Sequence, residues 1–178
     1  MSTVLIIIAV LLALAIAVAL IAASAKPDTF KVQRSAVIAA APERIFSLIA
    51  DFHQWRGWSP WEHRDPAMKR TFDGPPSDVG AVYAWDGNRN VGAGRMEIIE
   101  ATVPSQIMIK LDFIKPFEGH NIAEFALQPQ GSATAIVWTM HGPAPLLSKL
   151  MQLVMNMDKM IGKDFEAGLA GLKRLAEA

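Results

Sequence analysis

Catalytic chemistry needs groups that converge, and this chain offers few. Its four histidines, His53, His63, His120 and His141, show no His-x-His or His-Glu-x-x-His spacing, so a metal centre has no ligand set. The absence of cysteine removes disulfides, thiol catalysis and Cys-ligated zinc. Gly92-Ala93-Gly94 lacks the third glycine of a dinucleotide loop, because Glu97 stands there. No Gly-x-Ser-x-Gly elbow occurs. No catalytic residue, metal or cofactor is therefore expected.

A different chemistry suits the remaining polar groups. An apolar pocket gains specificity from a few placed polar side chains. Arg34, Tyr83 and Asn121 fall among apolar positions of alternating segments. Asp158 lies in a helical stretch from which it can pair with Arg34. Arg34 has two readings: a donor on a cavity wall, or a side chain that snorkels out at a sheet edge. Asn121 also fits a turn at a strand start. An acid or base inside such a cavity has few candidates, Asp158 and Tyr83 among them, and neither shows a partner in the sequence. Met151, Met155, Met157 and Met160 crowd one stretch, where unbranched side chains suit either a flexible ligand or plain packing. Trp55, Trp58 and Trp61 are expected at a rim, or as a lid over the core.

These residues need strands to position them. Alternation marks strands at Phe30–Ile38, Met68–Phe72, Ala81–Trp85, Val91–Ala101, Gln106–Phe113, Asn121–Leu127 and Ala133–His141. Asp86-Gly87-Asn88 and Pro129-Gln130-Gly131 close hairpins. A short helix starts at Pro42, and one long helix is expected over Leu146–Glu177, bending at Gly162 or Gly168. The face turned to that helix holds Trp85, Met96, Trp138 and Met140 besides Arg34, Tyr83 and Asn121. Arg34, Trp58, Trp61, Tyr83, Trp85, Met96, Asn121, Trp138, Met140, Met157 and Asp158 are the expected ligand-binding set. An antiparallel sheet has one face to bury, and the long helix is the element large enough to cover it.

The order strand, short helices, six strands, long helix resembles the START-like (SRPBCC, helix-grip) superfamily, in its polyketide cyclase/dehydratase-like branch. The carriers are Val32-Gln33-Arg34-Ser35, Ala41-Pro42-Glu43-Arg44-Ile45-Phe46, Trp55 with Trp58-Ser59-Pro60-Trp61-Glu62, Gly80-Ala81-Val82-Tyr83-Ala84-Trp85, and Asp164-Phe165-Glu166-Ala167-Gly168-Leu169. The resemblance runs from about Phe30 to the end. It implies an α+β helix-grip fold, a curved antiparallel seven-stranded sheet wrapped round the C-terminal helix. It also implies a cavity between the two that holds lipid- or polyketide-like molecules. Some members of the superfamily are cyclases; many only bind or carry a ligand. The expected function is a membrane-anchored binder or carrier of such a molecule; the alternatives are a cyclase- or dehydratase-type enzyme acting on it and a membrane-tethered protein-interaction module.

The N-terminus is a separate matter. From Val4 to Ala23 every residue is Val, Leu, Ile or Ala. Twenty helical residues at ~1.5 Å each span ~30 Å, the hydrocarbon thickness of a bilayer. The expected organisation is a transmembrane anchor over 1–25, a linker over 26–29 and one domain over 30–178. The alternative is an exported protein cleaved after Ala25, given Ala23-Ser24-Ala25. The long apolar run and the lack of a basic residue before it favour the anchor. Lys26, Lys31 and Arg34 follow the span, which places the domain on the cytoplasmic side. With 17 basic and 17 acidic residues the net charge is zero, which argues against a nucleic-acid partner. The partners expected are a hydrophobic small molecule or lipid, and the membrane through residues 4–23. The sequence names no protein partner.

Overall fold

The computed structural model describes residues 2–178. A helix α1 (Ser2–Ser24) precedes β1 (Thr29–Ile38), α2 (Pro42–Ala50) and two short 3-10 helices at Phe52–Gly57 and Pro60–His63. Six strands follow: β2 (Lys69–Asp73), β3 (Val82–Asp86), β4 (Ala93–Thr102), β5 (Gln106–Lys115), β6 (Gly119–Gln130) and β7 (Ala133–Pro143). The chain closes with α3 (Leu146–Val154) and α4 (Met157–Ala176).

The seven strands form one antiparallel sheet in the order β1-β7-β6-β5-β4-β3-β2. Five of the six neighbour pairs are consecutive in sequence, as short hairpins require, and only β1 crosses over to pair with β7. Alternation sets the faces. On β6, Asn121, Ala123, Phe125 and Leu127 are buried, while His120 and Gln128 are exposed. The outer face is a polar ladder, with Gln106 donating to Glu124, His120 on Asp112 and Arg95 on Glu97. The inner face meets α2, the 3-10 segment and α4, and the core lies between them.

The expected single C-terminal helix is two helices. Met155 and Asn156 adopt extended backbone, and Asn156 caps α4 by accepting a hydrogen bond from the Lys159 N–H at 2.8 Å. Apolar spacing runs through the break unaltered, but an N-cap asparagine satisfies α4's free N–H groups and restarts the helix in a new direction.

The strands alternate in direction, so the start of β1, the end of β7, the β5–β6 turn and the β3–β4 turn share one end of the sheet. That end receives the linker from α1. The C-terminal end of α1 packs on α3, with Ala23 wholly buried and Ala19, one turn earlier, half-buried. From Val4 to Ala22, Ala19 apart, α1 is exposed Val, Leu, Ile and Ala. Thr3–Ser24 is long and apolar enough to cross a membrane by length and composition.

Candidate functional site

Inward residues of the sheet grow less buried toward the end that carries α1. On β5, Ile107 and Ile109 are fully buried, whereas Leu111 and Phe113 are half-buried. On β3, Tyr83 is buried and Trp85 half-buried. On β7 the series Ile136, Trp138, Met140 is buried and Gly142 is half-buried. On β6 it runs from Phe125 at 0% exposure to Asn121 at 8%, then to a half-buried Gly119. The inner face is therefore sealed at one end, the closed end, and partly exposed at the other, the open end.

The closed end is filled by rings. Trp138 stacks on Phe165 of α4 with centroids 4.1 Å apart, and on Phe125 at 4.8 Å. Trp58 and Trp61 meet Trp138 edge-on at 5.8 and 5.9 Å. At this end the space where the cavity between sheet and C-terminal helix was expected is occupied by large planar side chains from β6, β7, the 3-10 segment and α4. Two hollows, of about 380 and about 270 Å³, lie elsewhere. One borders α2 and Pro76–Asp78, the other Phe52, Phe72 and the Gly74–Pro76 turn. Neither touches α4.

The structure separates the expected ligand-binding residues into three groups. Trp58 and Trp138 belong to the ring layer, where Trp58 Nε1 donates to the Leu48 carbonyl at 3.1 Å. Trp58 is thus core rather than rim, while Trp61 is half-buried. Trp138 Nε1 is buried without a partner among the described residues. A second group, Trp85, Met96, Asn121 and Met140, lies on the inner face toward the open end. The Asn121 carboxamide lies over Gly142, where a side chain would collide with it. Tyr83 sits deeper.

The third group, Arg34, Met157 and Asp158, is at the outer margin. Arg34 Nη2 pairs with Asp158 Oδ2 at 3.0 Å, and its Nε donates to Glu166 Oε1 at 2.8 Å. Asp158 first, and then Glu166, hold the guanidinium well above its ordinary value, and Asp158 is held below the usual carboxylate range by Arg34. Its side chain is 23% exposed and both carboxylates are more than half exposed, so the cluster straps β1 to α4 at the sheet edge. Met157 is half-buried at the start of α4, and Met155 and Met160 are exposed.

Sequence reasoning missed a buried cluster. Glu62, with its side chain 5% exposed, accepts from the Tyr83 hydroxyl through Oε1 at 2.5 Å and from Arg70 Nε through Oε2 at 2.7 Å. Arg70 also donates to the carbonyls of Met68 and Pro66. Burial, and then the Glu62 carboxylate, push the Tyr83 phenol far above its usual value, so it stays protonated. Burial works against the Arg70 charge, but the adjoining Glu62 outweighs it and holds the guanidinium above its usual value. A carboxylate inside an aromatic run, eight residues before an arginine, was the available signal. Both Glu62 oxygens are engaged within the chain, so the cluster fastens the segment Glu62–Arg70 to β3.

A family model described as polyketide cyclase / dehydrase and lipid transport matches residues 29–177. Among curated proteins none matches the chain. Solved structures of the same fold include major latex-like protein 151 from Panax ginseng, at 11% identity and TM-score 0.60, covering 85% of this chain and 100% of that one. Protein CV1439 from Chromobacterium violaceum is 16% identical with TM-score 0.59, covering 86% and 99%. The di-domain ARO/CYC BexL from the BE-7585A biosynthetic pathway is 14% identical with TM-score 0.60, covering 88% of this chain and 53% of that one.

Proposed function

Because the chain belongs to the polyketide cyclase / dehydrase and lipid transport family, we propose that it binds an apolar or amphipathic small molecule at the open end of its grip, tethered to a membrane by α1. The observation that carries this reading is the graded exposure of the inner face. Leu111, Phe113 and Trp85 are half-buried apolar groups on a concave surface, beside the buried polar Asn121. Such a surface suits a ligand whose oily part lies on the sheet and whose polar group meets the carboxamide. The ring layer around Trp138 limits depth, so the ligand sits shallow, above Met140. The unpartnered Trp138 Nε1 offers a second donor to a ligand oxygen if the layer parts. Extraction of the purified full-length protein followed by mass spectrometry tests the reading. An oily molecule present in wild type and lost in Leu111→Asp is expected. Nothing co-purifying, together with no quenching of tryptophan emission by brominated phosphatidylcholine, overturns it.

A cyclase or dehydratase reading draws on Tyr83, Glu62 and Arg70, which bring ionisable groups together with one strongly shifted. Their mutual engagement favours a structural role. Loss of turnover in Tyr83→Phe, with ligand binding retained, would favour catalysis.

A further inference from the structure

Helix α3 is folded inside out for a water-facing helix. Its polar residues Ser148, Lys149 and Gln152 share one side; Lys149 is only 7% exposed, while Ser148 and Gln152 are half-buried, as are Leu150 and Met151. Its apolar side faces out: Leu146 is 48%, Leu147 55% and Val154 84% exposed, and Met155 follows at 41%. Against water this arrangement forfeits the burial that normally orients an amphipathic helix.

Three observations say what covers this face. First, α3 packs directly on the end of α1, over Ala19 and Ala23, so its outer side continues the exposed apolar surface of a helix fit to span a bilayer. Second, the connection is short and fastened. Lys149 Nζ donates to Asp28 Oδ1 at 2.5 Å, and the Ala144 N–H donates to the Asp28 carbonyl at 2.7 Å. The linker thus holds α3 at the level where α1 leaves the membrane. Third, the last residues of β5 and the β5–β6 turn, at the same end of the sheet, expose Ile114 and Phe117, each 59% exposed, where a solvated connection would be polar.

We propose that α3 and the Ile114–Phe117 segment form a lipid-facing seat that dips into the leaflet from which α1 emerges. Its occupant is the headgroup–acyl boundary of the bilayer, met by a helix lying in the plane of the surface. The seat rests on reading α1 as a membrane anchor. It adds that the open end of the grip is pressed onto lipid, so a ligand passes between leaflet and sheet without crossing water.

The chain has no cysteine, so single substitutions take a nitroxide at one place only. Labels are placed by Leu12→Cys, Phe117→Cys, Leu147→Cys and Val154→Cys. A fifth, Val37→Cys, reports the far end of β1, where Val37 is 51% exposed. Full-length protein is reconstituted into phosphatidylcholine nanodiscs, and collision with oxygen is compared with collision with a water-soluble nickel chelate. The seat gives an oxygen-dominated ratio at 12, 117, 147 and 154 and a nickel-dominated ratio at 37. Positions 117, 147 and 154 matching 37, with 12 still in lipid, overturn the seat and leave the anchor standing. Position 12 in water overturns the anchor and the seat together. Spin–spin broadening at 154 that vanishes on dilution with unlabelled chain assigns the face to a second copy and also overturns the seat.

Discussion

Helix α4 crosses the backbone of Trp58 at Gly171, where a Cβ would stand 2.5 Å from the Trp58 carbonyl oxygen. The contact is backbone against backbone, so neither side can turn away. It sets how closely α4 approaches the 3-10 segment, and with it the depth at which Phe165 meets Trp138.

Gly171→Ala is therefore expected to destabilise the domain. Overpacking costs roughly 1–3 kcal/mol, against about 1 kcal/mol gained from the higher helix propensity of alanine. Gly162→Ala is the comparison, because there the obstacle is the end of the Arg34 side chain, which can shift at the cost of its bonds to the exposed Asp158 and Glu166 carboxylates, whereas backbone cannot. Urea denaturation should rank Gly171→Ala well below Gly162→Ala. Equal midpoints would contradict the account.

The Glu62 cluster makes a second prediction. Glu62→Gln leaves the Arg70 charge buried without its counter-ion, a change that typically costs about 3–5 kcal/mol. Tyr83→Phe leaves one carboxylate oxygen without its donor, at about 1–3 kcal/mol. Since both act on one network, the double variant should lose less than the two single losses combined. Strict additivity in denaturation would mean the network is not coupled.

His120 on the outer face should titrate above its ordinary 6.5, because it bonds Asp112, with burial opposing and Glu118 adding less. A raised folded-state value means the contribution is complete below pH 6.5 and is lost as pH climbs through that value. Asp112, held below 3.8 mainly by the His120 and Lys110 bonds against burial, contributes above that range and is lost in acid. An NMR titration should show the His120 midpoint fall in Asp112→Asn, and that variant should lose less stability than wild type as pH rises above 6.5. An unmoved midpoint would rule out the pairing.

Lys149→Met tests the fastening of α3. It keeps the buried stem and removes the bond to Asp28, whose carboxyl Lys149 holds below 3.8. The denaturation midpoint should barely move, while a nitroxide at position 147 becomes more mobile. Wild type should show the same loosening only in acid, as pH falls through the lowered Asp28 value. Unchanged mobility in Lys149→Met would show that packing on Ala19 and Ala23 suffices alone.

All seven strands were legible because alternation and hairpin turns are local signals. The register was within reach too: the β6–β7 turn pairs Gln130 with Ala133, and counting back places Phe125 opposite Trp138. What the sequence hid was the third dimension of that pair. The stacking of Phe165 on Trp138 depends on where α4 lies, and α4 lies where it does because the chain breaks at Met155–Asn156. Glu62 was hidden for another reason: it sits in a 3-10 turn, where no periodicity distinguishes an inward position. The inverted orientation of α3 was invisible because apolar spacing identifies an apolar face without saying what meets it.

The bond between Asp28 and Lys149 has a mechanical corollary. With α1 spanning a bilayer, a tether held at Asp28 and packed through Ala19 and Ala23 limits how far the domain can tilt against its anchor. Domain and anchor then turn about the membrane normal as one body, and the same edge of the sheet stays toward the lipid throughout.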